Sequence, residues 1–185
     1  MLIYEVVLTT KLKDRFNIAP MGISFLEEDV VLVSPFKSSH TYELLKETGV
    51  AVVNFVDNVE IIALSVLSDE FFPCDPAERI DGWILKEAYM YYEVKARAFR
   101  ETSLRCHFEM EILLRRERRI PKMFNRASFA VIEGAILVSR FNLYPPDKIR
   151  AFFKEYEPIV LKTGGEKEIR AWGYLVDFLR GVEIL

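Results

Sequence analysis

The stretch SPFKSSHTYELLKETGVAVVN, residues 34–54, reads as a strand end, a hydroxyl-rich turn, a helix, a glycine stop and a second strand. Ser38 and Ser39 are cap residues for a helix over about 39–48, and Gly49 suits the left-handed position that follows a helix. VAVVNFV, residues 50–56, is apolar on both faces, the pattern of a buried central strand. The helix start carries chemistry as well as structure. Its first-turn N–H groups and the positive end of its dipole form an anion site. Lys37, Ser38, Ser39 and Thr41 gather there and add a cation and three hydroxyls, a set suited to a phosphate monoester. A plainer reading stands beside it, with Ser38 or Ser39 as a cap only and Lys37 as a surface lysine.

Outward from this stretch the chain changes period once. Residues 2–10, 16–26 and 30–36 are rich in β-branched and aromatic residues and read as strands, with Pro20 removing one ladder donor from the second. Residues 59–68 read as a short helix and 69–82 as a loop with two prolines. In 91–101, Tyr92, Val94, Ala96 and Ala98 alternate with Glu93, Lys95 and Arg97. In 103–115, Leu104, Cys106, Phe108, Met110, Ile112 and Leu114 face one way and Arg105, His107, Glu109 and Glu111 the other. From Asn125 the spacing turns helical, with Ala127, Val131, Ala135 and Val138 on one face. Further helices are expected over 147–156, just after two prolines, and over 166–180, with a stripe of Ile169, Trp172, Val176 and Leu179. About six strands followed by three helices indicate an α+β fold, with an antiparallel sheet closed as a small barrel over residues 1–120 and a helical extension over 121–185.

Composition narrows the chemistry. The 185 residues are 51% hydrophobic and 29% charged, enough for a sizeable core, and 25 Lys+Arg against 28 Asp+Glu gives a net charge of −3, against a dedicated nucleic-acid binder. No apolar run approaches the roughly 18 residues that span a bilayer, and Glu5 interrupts the first apolar stretch, so a cytoplasmic protein without a membrane partner is expected. Cys74 and Cys106 form no C-x-x-C pair, and His40 and His107 are the only histidines, so no metal site is expected. Neither the dinucleotide fingerprint nor the P-loop is present. Alternation puts Cys106 inside as a core thiol and His107 outside as a solvated imidazole. The basic run Arg115, Arg116, Arg118 and Arg119 reads first as a solvated strand end, with a nucleic acid, a second anionic substrate or the same phosphate monoester as alternatives. Arg126 differs: it opens a helix beside Asn125, where the dipole disfavours a cation, which points to an anion nearby.

With NIAPMG at 17–22 placed ahead of the helix, the sequence resembles the flavin reductase-like split-barrel flavoproteins. In that superfamily an N-x-x-P strand meets the edge of the isoalloxazine. A K/R-x-S-x-T-Y-E-N-like helix start then binds the FMN phosphate and leads into a G-x-x-V-V-N strand. The matching residues are Asn17 and Pro20, then Lys37, Ser39, Thr41, Tyr42 and Glu43, and last Gly49, Val52, Val53 and Asn54. More narrowly, the whole chain is similar to a family of uncharacterised, largely archaeal FMN-binding proteins, whose second block matches Phe124, Asn125, Arg126 and Ala127 and residues 131–135. His40 stands where related reductases often carry Arg. The resemblance implies an antiparallel Greek-key split β-barrel and an FMN cofactor held by Asn17, Ala19, Pro20, Met21, Lys37, Ser38, Ser39, Thr41, Asn54 and Arg126. It also implies a homodimer with the flavin near the subunit interface, and a small-molecule or protein redox partner. Pro20 and the two-sided apolar 50–56 add a reason for a dimer, since a lone barrel would leave such surfaces uncovered. The activity this implies is a flavin-dependent oxidoreductase; the alternative is a non-catalytic FMN storage or sensing module. A pyridoxal-phosphate-type oxidase on a similar barrel ranks below both, for want of its substrate signature. No residue is singled out as a general acid or base.

Overall fold

Alternation with period two closes six strands around one core. In the computed structural model, which describes residues 2–68, 72–123 and 125–185, the barrel strands are β1 (Tyr4–Leu12), β2 (Arg15–Glu27), β3 (Val30–Val33), β4 (Val50–Phe55), β7 (Met90–Glu101) and β8 (Cys106–Glu117). The intervening β5 (Cys74–Pro76) and β6 (Trp83–Leu85) form a separate two-stranded hairpin. The barrel closes in the order β1-β2-β3-β8-β7-β4, every neighbouring pair antiparallel. Helix α1 (His40–Thr48) joins β3 to β4, begins at the Ser39 cap and stops at Gly49, whose φ of 66° lies in the region that favours glycine.

The core takes alternate residues from each strand: Val6 and Leu8, Val31 and Val33, Ala51, Val53 and Phe55, and Cys106, Phe108 and Met110, with Leu45 of α1. Leu104 lies outside this row. It is exposed in the turn before β8, so the expected strand starts three residues later than the alternation suggested. The opposite face of β4 is buried too: Val52 and Tyr91 pack with Ile84 of the β5–β6 hairpin. The two-sided apolar pattern of 50–56 is therefore satisfied within the chain and asks for no partner.

That hairpin is pinned by Glu93, which the alternation left on a polar face. Its carboxylate is fully buried and accepts the backbone N–H groups of Glu78 (2.7 Å), Arg79 (2.6 Å) and Ile80 (3.1 Å). The hairpin was not expected, since 69–82 reads as loop; residues 69–71 of it lie outside the described residues.

The helices α2 (Val59–Leu67), α3 (Arg126–Val138), α4 (Pro146–Thr163) and α5 (Glu166–Gly181) pack as a second unit, separate from the barrel unit of β1–β8 and α1. The expected face of α3 is the buried one: Ala127, Val131, Ala135 and Val138. Helix α4 runs on past the expected end at 156, through Pro158, with Val160 buried beyond it. In α5 the buried stripe is Ala171, Trp172, Leu175 and Leu179, so Ile169 of the expected stripe is exposed. Arg170 of α5 makes a two-pronged pair with Glu60 of α2 (2.8 and 3.1 Å). Among the described residues no helix is long and apolar enough to cross a membrane.

Candidate functional site

The barrel wall opens beside β2. Residues 15–23 of β2 pair with β1, whereas β3 reaches β2 only from Ile23, opposite Val33. Beyond Val33 the chain leaves the sheet at Ser34 and turns towards α1. One edge of residues 15–22 therefore has no strand beside it among the described residues. Pro20, opposite Val7, sits in this stretch, where a missing N–H is tolerated. Asn17 is buried and Ala19, Pro20 and Met21 are half-buried, so these expected residues line one continuous backbone edge.

The start of α1 is tied to that edge. Asn17 Nδ2 donates to Thr41 Oγ1 at 3.0 Å, and Thr41 is buried at 2% exposure, so strand and helix share one polar contact. Thr41 accepts in this bond and keeps its own hydroxyl proton to donate. In register with Asn17, Thr10 holds a buried Oγ1 without a hydrogen-bond partner. Ser39 differs from Thr41. Its Oγ donates to the Phe36 carbonyl at 2.7 Å and accepts from Tyr42 N–H at 3.2 Å, so its one proton is spent on capping. Ser38 and His40 are exposed at the turn.

Lys37 is held to one side. Its Nζ lies 3.0 Å from Glu101 Oε2, and its backbone N–H donates to the Leu104 carbonyl. Glu101 also receives Lys46 and the Tyr42 hydroxyl, the latter at 3.1 Å. Lys46 above all, then Lys37 and Tyr42, hold the Glu101 carboxyl down to about 2, so it is an anion at any working pH. Sequence reasoning missed Glu101, which carries no signal beyond ending an alternating strand.

Two expected residues stand apart from this group. Asn54 is fully buried in β4: its Nδ2 donates to the Val7 carbonyl (3.1 Å) and Thr9 Oγ1 (3.2 Å), and its Oδ1 accepts from Leu85 N–H (2.9 Å). Its amide is spent joining β1, β4 and β6. Arg126 is the exposed first residue of α3, in the helical unit, behind an Asn125 cap that accepts from Ala127 N–H at 2.8 Å. Phe124, from the same expected block, lies outside the described residues.

The outer face beyond β3 carries a second polar group. Ser34 Oγ and His107 Nδ1 are 2.8 Å apart, Arg105 donates to the Ser34 carbonyl at 2.6 Å, and its guanidinium lies 3.7 Å from the Phe36 ring centre. His107 does face outward and Cys106 inward, as the alternation predicts, and burial pushes both thiols up, Cys74 to about 11. The basic run at the far end of β8 is neutralised: Arg115 pairs with Asp29, Arg116 with Glu78, Arg118 with Asp75 and Arg119 with Asp57, all within 3.3 Å.

Free helix-start N–H groups, the Thr41 hydroxyl and a lysine form a donor set that fits a phosphate, and the open β2 edge beside them fits the polar rim of a planar ring. Comparison with known proteins follows the same line. The N-terminal domain model of a protein of unknown function (DUF447) matches residues 4–119, and the companion model of the same family matches 125–177. The uncharacterized protein MJ1453 of Methanocaldococcus jannaschii is 32% identical over 182 residues, covering 90% of this chain and 92% of its own. Among solved structures, the FMN-bound protein MM1853 from Methanosarcina mazei matches with a TM-score of 0.83 at 24% identity, over 95% of this chain and 94% of that one. The flavin reductase HpaC, complexed with NADP+, matches with a TM-score of 0.55 at 19% identity, over 66% and 82%. The fold is thus that of the flavin reductase-like barrels.

Proposed function

The chain belongs to the DUF447 family, and from that premise we propose that it is an FMN-binding flavoprotein with oxidoreductase capability. The observation that carries this reading is the contact between Asn17 and Thr41, which joins the open edge of β2 to the donor-rich start of α1. FMN needs both parts at once, a phosphate cradle and a strand edge. The FMN-bound state of MM1853 and the NADP+ complex of HpaC support the same reading.

In this reading the N–H groups of His40 and Thr41, the Thr41 and Ser38 hydroxyls and Lys37 hold the phosphate. The backbone of 17–22 would orient the ring edge, and Asn17, by donating to the Thr41 hydroxyl oxygen, leaves that hydroxyl's proton available for the phosphate. Bound FMN supplies two-electron chemistry, with the protein contributing position and electrostatics. The residues placed here hold and orient the ligand; none is assigned a proton-transfer role.

A homodimer belongs to the same proposal. Leu2, Ile3, Tyr4, Phe25 and Leu26 are exposed large apolar residues on the barrel unit, and the Tyr4 and Phe25 rings meet edge to face at 5.7 Å. An apolar group of this kind marks an interface. The test is the visible absorption spectrum of the purified protein, with mass analysis of the released chromophore. A yellow protein releasing FMN is expected; a colourless protein that also fails to bind added FMN defeats the reading. Light scattering checks the dimer.

A further inference from the structure

We infer that Glu101 sets the affinity of the phosphate site by competing with the ligand for Lys37, an inference that rests on the phosphate cradle proposed at the start of α1. Three donors converge on this carboxylate from two sides. Oε1 takes the Tyr42 hydroxyl at 3.1 Å and Lys46, and Oε2 takes Lys37 at 3.0 Å. Two of the three have a second anchor. The Lys46 ammonium lies 4.2 Å from the Phe99 ring centre, and the Tyr42 ring packs near Phe108, 6.5 Å between centres, at the core. Lys37 is the least committed, with its side chain over one-third exposed and only its backbone N–H fixed, on the Leu104 carbonyl.

A phosphate monoester arriving at the helix start carries close to two negative charges. If Lys37 served both anions, the phosphate and the Glu101 carboxylate would crowd one ammonium, and their repulsion would oppose binding. The ligand must therefore draw Lys37 away, and Glu101 keeps Lys46 and Tyr42 when it does. The other carboxylates on α1 do not enter this exchange, because Glu43 and Glu47 are paired with Arg15 of β2. The consequence is selective: the cost falls on ligands with a phosphate and not on the ring. Glu101 is a positioning residue for the phosphate.

The experiment titrates FMN and riboflavin, by quenching of flavin fluorescence, into the full-length protein freed of flavin. The wild type is compared with Glu101→Gln, Lys37→Ala and the double variant. The amide of Gln still accepts from Tyr42, so the fold is retained, and thermal melts verify this. Glu101→Gln should tighten FMN about fivefold, the scale of one partly exposed charge pair turned to a ligand, and leave riboflavin within about twofold. With Lys37 already Ala, the Gln substitution should change FMN affinity less than about twofold, because the coupling runs through that lysine. If the wild type prefers FMN to riboflavin but Glu101→Gln binds FMN no tighter, this inference falls and the phosphate cradle stands. If the wild type does not distinguish the two flavins, the cradle itself fails and the inference with it.

Discussion

Two regions of the barrel unit are rich in cations and polar donors, and they differ in who supplies the acceptors. At the far end of β8 the chain supplies them itself. Each arginine of the 115–119 run has its own carboxylate, and Arg115, Arg118 and Arg119 also lie over Tyr92, Tyr91 and Tyr89 at 5.4, 5.0 and 5.9 Å. Close by, the N–H groups of 78–80 are met by the buried Glu93. At the start of α1 the balance reverses: the N–H groups of His40 and Thr41 and the Thr41 hydroxyl have no acceptor among the described residues, and the Glu101 carboxylate beside Lys37 is already shared by three donors. A density of positive charge thus says little about binding until its partners are counted. The closed region stabilises; the open one is where, in the proposed reading, a ligand completes the structure.

The sharpest test of the closed region is Glu93. Replacing it by Ala leaves the backbone N–H groups of Glu78, Arg79 and Ile80 without their acceptor and frees the hairpin that covers Val52 and Tyr91. A loss of about 3–5 kcal/mol in urea unfolding is expected, the scale of breaking a buried charged network. A loss below about 1 kcal/mol would mean that the hairpin holds without its carboxylate and that the region is not closed in this sense.

Thr41 is the corresponding test of the open region. Thr41→Ala removes the donor that Asn17 orients and should weaken FMN by roughly 1.5–3 kcal/mol, a tenfold loss or more, with riboflavin much less affected. Equal losses for both flavins in a titration would return Thr41 to a packing role and move the phosphate elsewhere, with Arg126 the next candidate.

How far the sequence went follows the same division. Strong periodicity was legible: the inward Cys106, Phe108 and Met110 of β8, the buried face of α3, and α1 with its Ser39 cap and Gly49 stop all lie where the pattern put them. What escaped was local chemistry decided by distant neighbours. The strands Cys74–Pro76 and Trp83–Leu85 are three residues each, too short for any period to show. Without that hairpin Glu93 looks like an outward-facing acid, and β4 looks like a surface in need of a partner. The same limit applies at the candidate site. The hydroxyls at 38–41 were visible as a group, but whether each proton is spent or available depends on Phe36 for Ser39 and on Asn17 for Thr41. Asn54 was legible as a landmark of the resemblance, yet its amide is consumed inside the wall.

Ser39 separates capping from ligand binding within a single turn. Ser39→Ala should cost about 1 kcal/mol of stability through the lost cap. The ratio of FMN to riboflavin affinity should stay where it is, because the hydroxyl proton already goes to Phe36. A selective loss of FMN would show that Ser39 turns to the ligand on binding and that the open region is larger than Thr41, Ser38 and Lys37.

An equally small effect is expected at Arg118, and its size is the point. This arginine makes a 3.1 Å contact with Asp75, donates to the Leu85 carbonyl at 3.3 Å and lies over Tyr91. Its side chain is 28% exposed and Asp75 is 42% exposed, so water screens much of the pair. Arg118→Ala should therefore lower stability by about 1 kcal/mol, from the ion pair and the ring contact together. The difference between variant and wild type should shrink as salt is raised, since exposed pairs are screened within about 10 Å at 0.1 M. FMN affinity should not change. The opposite pattern, a stable variant with weakened FMN, would place a ligand contact in the closed region and erase the distinction between the two. Because Lys37→Ala is expected to do the reverse, changing FMN affinity with little effect on unfolding, measuring both variants by urea titration and flavin quenching decides which cations this fold uses for itself.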